Sequence, residues 1–292
     1  MLVSIPQRNK IPATKIYVQW YKKESAASRD VMVLIPGGPG GNHSVYDKVI
    51  DTFLEDVDLL LFDPRGCGLS DPCDPSLAGV DIEIDDLYAV INHFKLDNPI
   101  LLGGSYGSIV AMHYAVKYHN IKKLILLAGA TSHEVIGKAK KNIEKIGTAE
   151  QVSLVEMLFN GELQTQDAFK EYYKVMAPLY ILKLRDAKVA AEAPQAPPTT
   201  KKPIPYNLDF LNIGFKTFFK TFNLQPHLHK ISTLTLIMFG ADDWINEPSE
   251  GEIMHKEIPS SKLVVFKNCG HFIWEDAPEP FFNEFKSFVK QK

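Results

Sequence analysis

Residues 99–108, PILLGGSYGS, decide the fold of this chain. The first four residues are apolar, and such a short run next to turn-forming residues is typical of a strand buried on both faces of a parallel sheet. A G-x-S-x-G turn centred on Ser105 follows directly, and residues 108–118 have the pattern of a helix. The stretch therefore predicts a strand, a tight turn and a helix in immediate succession.

Similar apolar runs, most of them ending near glycine or proline, lie on both sides of this stretch. They cover residues 16–21, 31–36, 57–62, 121–127, 234–239 and 263–266. Helical patterns lie between several of them, at residues 81–94 and 248–257, and a last one closes the chain at 278–290. Strands that alternate with helices predict an α/β fold with a mostly parallel, doubly wound sheet.

The alternation stops after residue 130 and resumes near residue 228. We therefore predict a core of residues 1–130 and 228–292, interrupted by an inserted helical cap of residues 131–227. Within the cap, residues 152–159 and 168–184 have helical patterns, whereas the proline-rich residues 190–205 indicate a loop or linker. The aromatic residues 210–222 indicate a helix that packs its phenylalanines on the core, with lining of a substrate pocket as the alternative.

Composition narrows the class of protein. The chain has 292 residues, of which 45% are hydrophobic and 23% charged, and 32 basic against 35 acidic residues give a net charge of −3. The chain has no basic stripe of the kind that indicates nucleic-acid binding, so we expect no nucleic-acid partner. No apolar run approaches the length of a membrane span, so we expect no stable membrane insertion. Three scattered cysteines and no secretory leader pattern indicate a cytoplasmic protein. The oligomeric state stays open.

Ser105 is the candidate nucleophile. The turn lifts its hydroxyl clear of the sheet and places Tyr106 at a helix N-terminus, where a free backbone N–H can stabilise negative charge. A serine hydroxyl is a weak nucleophile without a base. The later strands supply candidates for that base and for the acid that orients it.

His271 follows the last predicted strand, in Asn268-Cys269-Gly270-His271, and Gly240-Ala241-Asp242-Asp243 follows the strand before it. The carboxyl ends of parallel strands meet at one edge of a sheet, so these side chains should lie near Ser105. His271 is the predicted general base. The acid is Asp243 or Asp242; we favour Asp243 and interpret Asp242 as a turn residue.

The glycine-rich loop Gly37-Gly38-Pro39-Gly40-Gly41 follows the strand at residues 31–36. Two N–H donors are needed for an oxyanion, and we assign Gly38 and Tyr106, because Pro39 has no N–H. The loop does not fit the spacing of phosphate-binding motifs. His43, just beyond it, either braces the loop or faces the pocket.

Asp63 and Arg65, in Asp63-Pro64-Arg65-Gly66, are interpreted as braces for the loops around the site. His227 and His229 have the H-x-H spacing of some metal ligands, but no carboxylate or cysteine accompanies them. We therefore predict neither a metal nor an organic cofactor.

Together these motifs resemble the proline iminopeptidase (prolyl aminopeptidase) group of α/β hydrolases. That group has HGGPG, DQRGxGxS, GGSWGS, G-x-x-D and G-H in this order, and the counterparts here are PGGPG, DPRGCGLS, GGSYGS, GADD and CGH. The resemblance implies an α/β-hydrolase fold with a helical cap and supports Asp243, three residues after Gly240. It also implies an aminopeptidase that releases N-terminal proline, or a similar small residue, through an acyl-enzyme.

The chain departs from that group in three respects. Pro36 stands in place of the histidine of HGGPG, and Tyr106 in place of the tryptophan. The group reads the substrate's α-amino group with cap carboxylates, which have no aligned counterpart here. The candidates are Glu134, Glu156, Glu162, Glu171 and Asp209. An esterase or lipase-like hydrolase with the same triad is the alternative, and a non-catalytic binding protein a third hypothesis.

Overall fold

The computed structural model describes residues 1–24, 29–186 and 204–291. In this part of the chain eight strands form one sheet, in the order β1-β2-β4-β3-β5-β6-β7-β8. They are β1 (Leu2–Ile5), β2 (Thr14–Tyr21), β3 (Val31–Ile35), β4 (Asp58–Phe62), β5 (Ile100–Gly104), β6 (Lys123–Leu127), β7 (Leu234–Gly240) and β8 (Ser261–Phe266). Strands β3 to β8 pair in parallel, and only the β1–β2 and β2–β4 pairs are antiparallel. The prediction of a mostly parallel sheet is confirmed.

The described helices lie on both faces of this sheet. The α-helices are α1 (Ile50–Phe53), α2 (Val80–His93), α3 (Tyr106–Tyr118), α4 (Glu134–Ile146), α5 (Ala149–Phe159), α6 (Gln166–Tyr180), α7 (Leu208–Lys216), α8 (Pro248–Glu257), α9 (Ile273–Asp276) and α10 (Pro278–Val289). Successive strand residues point to opposite faces, so Leu101 packs in the cluster that includes α2 and α3, and Leu102 in the cluster that includes α1 and α10. The sheet is therefore wound on both sides.

Most elements lie within a few residues of their sequence-based prediction, and α8 has the predicted bounds. The predicted helix at residues 168–184 is α6 followed by a short 3-10 helix, Leu182–Arg185. Four of the described strands and α-helices were missed, namely β1, α1, α4 and α9, and α1 and α9 span only four residues each. β1 is only four residues long in a polar stretch, and α4 is rich in lysine although Val135, Ala139 and Ile143 are buried at a spacing of four. The linker predicted at residues 190–205 lies almost wholly outside the described residues.

Helices α4 to α7 form an insert between β6 and β7. At its base the chain leaves and returns side by side, because Ser132 pairs with Asn223 and Leu224 N–H donates to Thr131 O over 2.8 Å. The buried carboxylate of Glu250 in α8 accepts hydrogen bonds from Thr131 N (2.8 Å) and from Lys138 Nζ in α4 (2.7 Å). These contacts attach the insert to the core; residues 131 and 227 stay its predicted limits.

Candidate active site

The turn between β5 and α3 holds Ser105 in a backbone conformation that side chains rarely adopt, with φ of 55°. Its neighbours must be glycines. A Cβ on Gly103 would lie 2.1 Å from Gly107 O, and one on Gly107 would lie 2.4 Å from Ile35 O. Ser105 N–H donates to Leu127 O over 2.8 Å, which fixes the turn to β6. Strained backbone of this kind persists only where its surroundings enforce it.

Asp243 and His271 form a buried hydrogen-bonded pair. His271 Nδ1 lies 2.7 Å from Asp243 Oδ2, and the side chains are 7% and 0% exposed. The other carboxylate oxygen of Asp243 accepts hydrogen bonds from Ile245 N (3.0 Å) and Asn246 N (3.1 Å). A carboxylate in this position fixes the orientation of the imidazole and stabilises its protonated form.

Asp242, the other candidate acid, is not part of this pair. The residue is exposed, and its N–H donates to Cys269 O over 2.9 Å. That bond ties the loop after β7 to the loop after β8. The contacts of Asp242 thus fit the turn residue interpreted from the sequence.

Ser105 and His271 line the same cavity, which has a volume of about 570 Å³. Ser105 is partly exposed to this space, and its hydroxyl has no hydrogen-bond partner among the described residues. Catalytic hydrogen bonds are often long or absent until substrate binds. The hydroxyl is therefore free to meet a substrate carbonyl.

The two assigned oxyanion donors flank the same serine. Gly38 lines the large cavity beside Ser105, and a smaller cavity is lined by Gly38, Ser105 and Tyr106 together. Neither Gly38 N–H nor Tyr106 N–H has a hydrogen-bond partner in the described part of the chain. Tyr106 is the first residue of α3, where the N–H groups have no partner within the helix. Both groups are thus available to an anion.

Residues interpreted as braces make the contacts expected of braces. Asp63 accepts hydrogen bonds from His43 N (2.8 Å) and Leu69 N (2.8 Å), and His43 Nδ1 lies 2.7 Å from the same carboxylate. Arg65 donates twice to Asp86 of α2, over 2.8 and 2.9 Å. His43 is buried on Asp63, so it braces the loop and does not line the large cavity.

The insert closes the large cavity with aromatic and aliphatic side chains. They include Leu158, Phe169, Tyr172, Tyr173, Tyr180, Tyr206, Leu211 and Phe215. The aromatic segment has both of the roles considered: Phe215 lines the cavity, whereas Phe218 and Phe219 pack on Tyr106 with ring centroids 6.0 and 6.2 Å apart. Tyr180 meets the imidazole of His271 edge to face at 5.6 Å.

No aspartate or glutamate is among the described residues that line this cavity, and Lys170 of α6 is one of its charged lining groups. The five candidate carboxylates lie elsewhere. Glu134, Glu162, Glu171 and Asp209 are exposed, and Glu156 pairs with Lys140 over 2.6 Å. The described walls therefore offer no acidic group to a substrate amine.

His227 and His229, which have metal-ligand spacing, are both exposed. Among the described residues, no three or more histidine, cysteine or acidic side chains come together in a group that could hold a metal ion. Nor does any helix in this described part of the chain have the length and apolar character needed to cross a bilayer.

Three features together define a class of protein: Ser105 on the turn between β5 and α3, the Asp243–His271 pair and the order of the strands in the sheet. Residues 30–278 match the model of the alpha/beta hydrolase fold family, and the chain belongs to that family. It is a hydrolase, and the predicted fold is confirmed. Its resemblance to the proline iminopeptidases is confirmed as well.

Among known proteins, the chain is 27% identical over 268 residues to the proline iminopeptidase PfmaB of Pestalotiopsis fici, covering 89% of this chain and 92% of the relative. A proline iminopeptidase structure from Mycobacterium smegmatis superimposes with a TM-score of 0.72 at 18% identity, covering 99% and 97% of the two chains. An esterase from Exiguobacterium antarcticum has a TM-score of 0.66 at 22% identity, covering 95% and 96%. These two structures support the fold alone.

Glu83 is a polar residue next to the site that the sequence analysis did not single out. Glu83 of α2 accepts a hydrogen bond over 3.0 Å from the hydroxyl of Tyr106, the residue that follows Ser105. Glu83 lies among several carboxylates at the start of the helix predicted at residues 81–94. No sequence signal distinguished it from Asp81 or Asp85.

Proposed function

We propose that this protein is a serine hydrolase that cleaves ester or amide bonds through an acyl-enzyme. Ser105 is the nucleophile, His271 the general base and Asp243 the acid that orients it. The observation that carries the proposal is that Ser105, on a strained turn, opens into the same cavity as a histidine whose Nδ1 is held by a buried carboxylate.

In this mechanism Ser105 Oγ attacks the substrate carbonyl while His271 Nε2 takes its proton. The carbonyl oxygen becomes an oxyanion that accepts hydrogen bonds from Gly38 N–H and Tyr106 N–H. Collapse of the tetrahedral intermediate expels the alcohol or amine, which takes the proton from His271. Water, deprotonated by the same histidine, then attacks the acyl carbon, and collapse of the second tetrahedral intermediate releases the acid while Ser105 Oγ takes the proton back from His271. Asp243 orients the imidazole and stabilises the imidazolium.

For the substrate we propose an uncharged ester or amide with an apolar acyl group. Its support is the cavity wall, which is aromatic and aliphatic and has no carboxylate among its described residues. An ammonium group in this space would lose hydration, and the described lining residues include no carboxylate to compensate for that loss. An apolar group gains by leaving water there.

A peptide with N-terminal proline is the second candidate. The similarity to the proline iminopeptidase of Pestalotiopsis fici extends over most of both chains and favours it. A pyrrolidine ring is small and apolar and would suit the aromatic wall. This candidate requires a group that recognises the free amine, which the described lining residues do not supply as a carboxylate.

Labelling tests the chemistry separately from the substrate. A fluorophosphonate probe should modify folded wild-type protein at Ser105, and Ser105→Ala should take up no label. The matched control is Ser108→Ala in the same helix, because the Ser108 hydroxyl is buried against Gly103 O (2.6 Å) and is not available to the probe. Labelling of the Ser105→Ala protein at full stoichiometry would refute the assignment.

A substrate panel decides between the two candidates. Short-chain p-nitrophenyl esters, prolyl amide, alanyl amide and N-acetylprolyl amide would be compared by kcat/KM. We expect the esters to be preferred and acetylation of the prolyl amide to have little effect. Strong preference for free over acetylated prolyl amide would instead establish the aminopeptidase.

A further inference from the structure

Tyr106 connects two different environments. Its backbone N–H is at the start of α3, beside Ser105 and Gly38, whereas its phenol is buried next to α2. There the hydroxyl donates to Glu83 Oε2 over 3.0 Å. The packing of Phe218 against the ring, edge to face at 6.0 Å, holds the phenol from the insert side. The position of the N–H is therefore coupled to that of the phenol.

The carboxyl group of Glu83 is unusual in this structure. Its second oxygen, Oε1, is shielded from solvent and has no hydrogen-bond partner among the described residues. Other buried carboxylates near the site are fully engaged: Asp86 by Arg65, and Asp63 by His43 and Leu69. Burial of a carboxyl group without a cation or full hydrogen bonding costs free energy. A glutamate at this position therefore points to a use for the one hydrogen bond that it makes.

We propose that Glu83 is a positioning residue for the hydrolysis, which fixes the Tyr106 phenol and thereby directs the Tyr106 N–H at the oxyanion. The inference rests on the proposed acyl-enzyme function and assigns a role that the sequence pattern did not indicate. A shift of an oxyanion donor by a fraction of an ångström weakens transition-state stabilisation without changing ground-state binding. The effect of losing Glu83 should therefore fall on kcat and leave KM nearly unchanged.

The protonation state of Glu83 matters to this role. Burial raises the pKa of Glu83 to about 8, with the Tyr106 hydrogen bond opposing the shift and the charge of Asp86 adding to it. The groups that face it are Tyr106 of α3, Cys67 and Arg65 after β4, Asp86 one turn along α2, and Tyr206 of the insert. Arg65 is occupied by Asp86, so no described cation neutralises Glu83.

Below this pKa the carboxyl is neutral and holds the phenol without adding charge behind the oxyanion. Above it, a carboxylate forms next to the start of α3 and its negative potential opposes the developing oxyanion. Activity should therefore fall as the pH rises through about 8. Glu83→Gln keeps the shape and an acceptor for the phenol but cannot ionise, so it should abolish that fall.

The experiment measures kcat and KM for p-nitrophenyl acetate from pH 6 to 10, after subtraction of spontaneous hydrolysis, and fluorophosphonate labelling of each protein. In the wild type kcat should fall about fivefold or more between pH 7 and 9.5, and in Glu83→Gln it should stay level. Glu83→Leu and Tyr106→Phe should lower kcat at pH 7 by about tenfold, with KM within about twofold. Asp81→Asn, an exposed carboxylate of the same helix, is the control and should keep the wild-type profile.

Superimposable profiles of wild type and Glu83→Gln, with Ser105 labelled normally in both, would overturn the role of Glu83 and leave the proposed function standing. The same holds if Glu83→Leu is folded and keeps the wild-type kcat at pH 7. Absence of labelling and turnover in the wild type would refute the proposed function, and this inference with it.

Discussion

The core side and the insert side of the large cavity are held by different kinds of contact. On the core side the Asp243 carboxylate accepts hydrogen bonds from two backbone N–H groups and from His271, each over 2.7 to 3.1 Å. On the insert side, rings pack on rings, as in the stacked pair Phe215 and Phe219 at 4.8 Å. Hydrogen bonds fix direction, whereas apolar packing is non-directional and fixes only volume. The groups proposed for chemistry therefore lie on the core side, which we call the core wall. The insert side, which we call the insert wall, sets the volume of the cavity.

The strongest test of this contrast removes one directional contact on the core side. Asp243→Asn should lower kcat by about 10³- to 10⁴-fold, because the amide cannot hold the imidazole in the required tautomer and orientation. Asp242→Asn is the matched control and should stay within about twofold of wild type, since Asp242 is exposed. Both variants would be assayed with the same ester by steady-state kinetics. A larger loss in the Asp242 variant would move the acid by one residue.

A smaller effect is expected when a charge is removed from the insert wall. Lys170→Gln should raise kcat/KM for cationic substrates by about twofold at most, because Lys170 is largely exposed and its charge is partly offset by Asp167 at 3.2 Å. Neutral esters should be unaffected. Lys174→Gln is the matched control, since Lys174 lies on the same helix and pairs with Glu171 (3.1 Å) as Lys170 pairs with Asp167 (3.2 Å), but does not line the cavity. Equal changes for cationic and neutral substrates would show that Lys170 acts through structure and not through charge.

The smallest effect concerns stability and Glu83, a buried carboxyl with no cation beside it among the described residues. The pKa of Glu83 is about 8 in the folded protein against an ordinary value of 4.5. Between these two pH values the unfolded chain has lost the proton that the folded chain keeps, so wild-type stability falls as the pH rises. Glu83→Gln should match wild type near pH 4.5 and exceed it by a few degrees in Tm above pH 8.

Thermal unfolding of both proteins at pH 5, 7 and 9 would measure this difference. A Tm difference that is constant across the three values would show that Glu83 does not titrate in this range in the folded protein. Asp81→Asn again serves as the control, because an exposed carboxylate should show no pH-dependent difference of this kind.

The core wall was largely predictable from the sequence. Short apolar runs that stop in glycine or proline identified the parallel strands, and their carboxyl ends placed Ser105, Asp243 and His271 at one sheet edge. The structure has these residues after β5, β7 and β8, and the pairing of Asp243 with His271 follows from that arrangement. The rule succeeds because the carboxyl ends of parallel strands are adjacent whatever the side chains between them.

The insert wall was not predictable in the same way. The aromatic segment near residue 215 has rings on several sides, so its pattern does not say which ring faces the core and which the cavity. The contact of Glu83 with Tyr106 joins residues on two helices and depends on how α2 packs on α3. Neither spacing nor residue type encodes such a contact, because it is set by tertiary packing.

The pairing of the two chain segments at the base of the insert has a consequence for how this fold can vary. Ser132 and Asn223 lie side by side, so the two ends of the inserted segment are held next to each other. Doubling the length of such a loop costs only about 0.6 kcal/mol in closure entropy. The segment can thus lengthen, shorten or be exchanged for another without displacing β6 or β7. Changes in the length of the insert alone can in this way give a different cavity around the same groups on the core side.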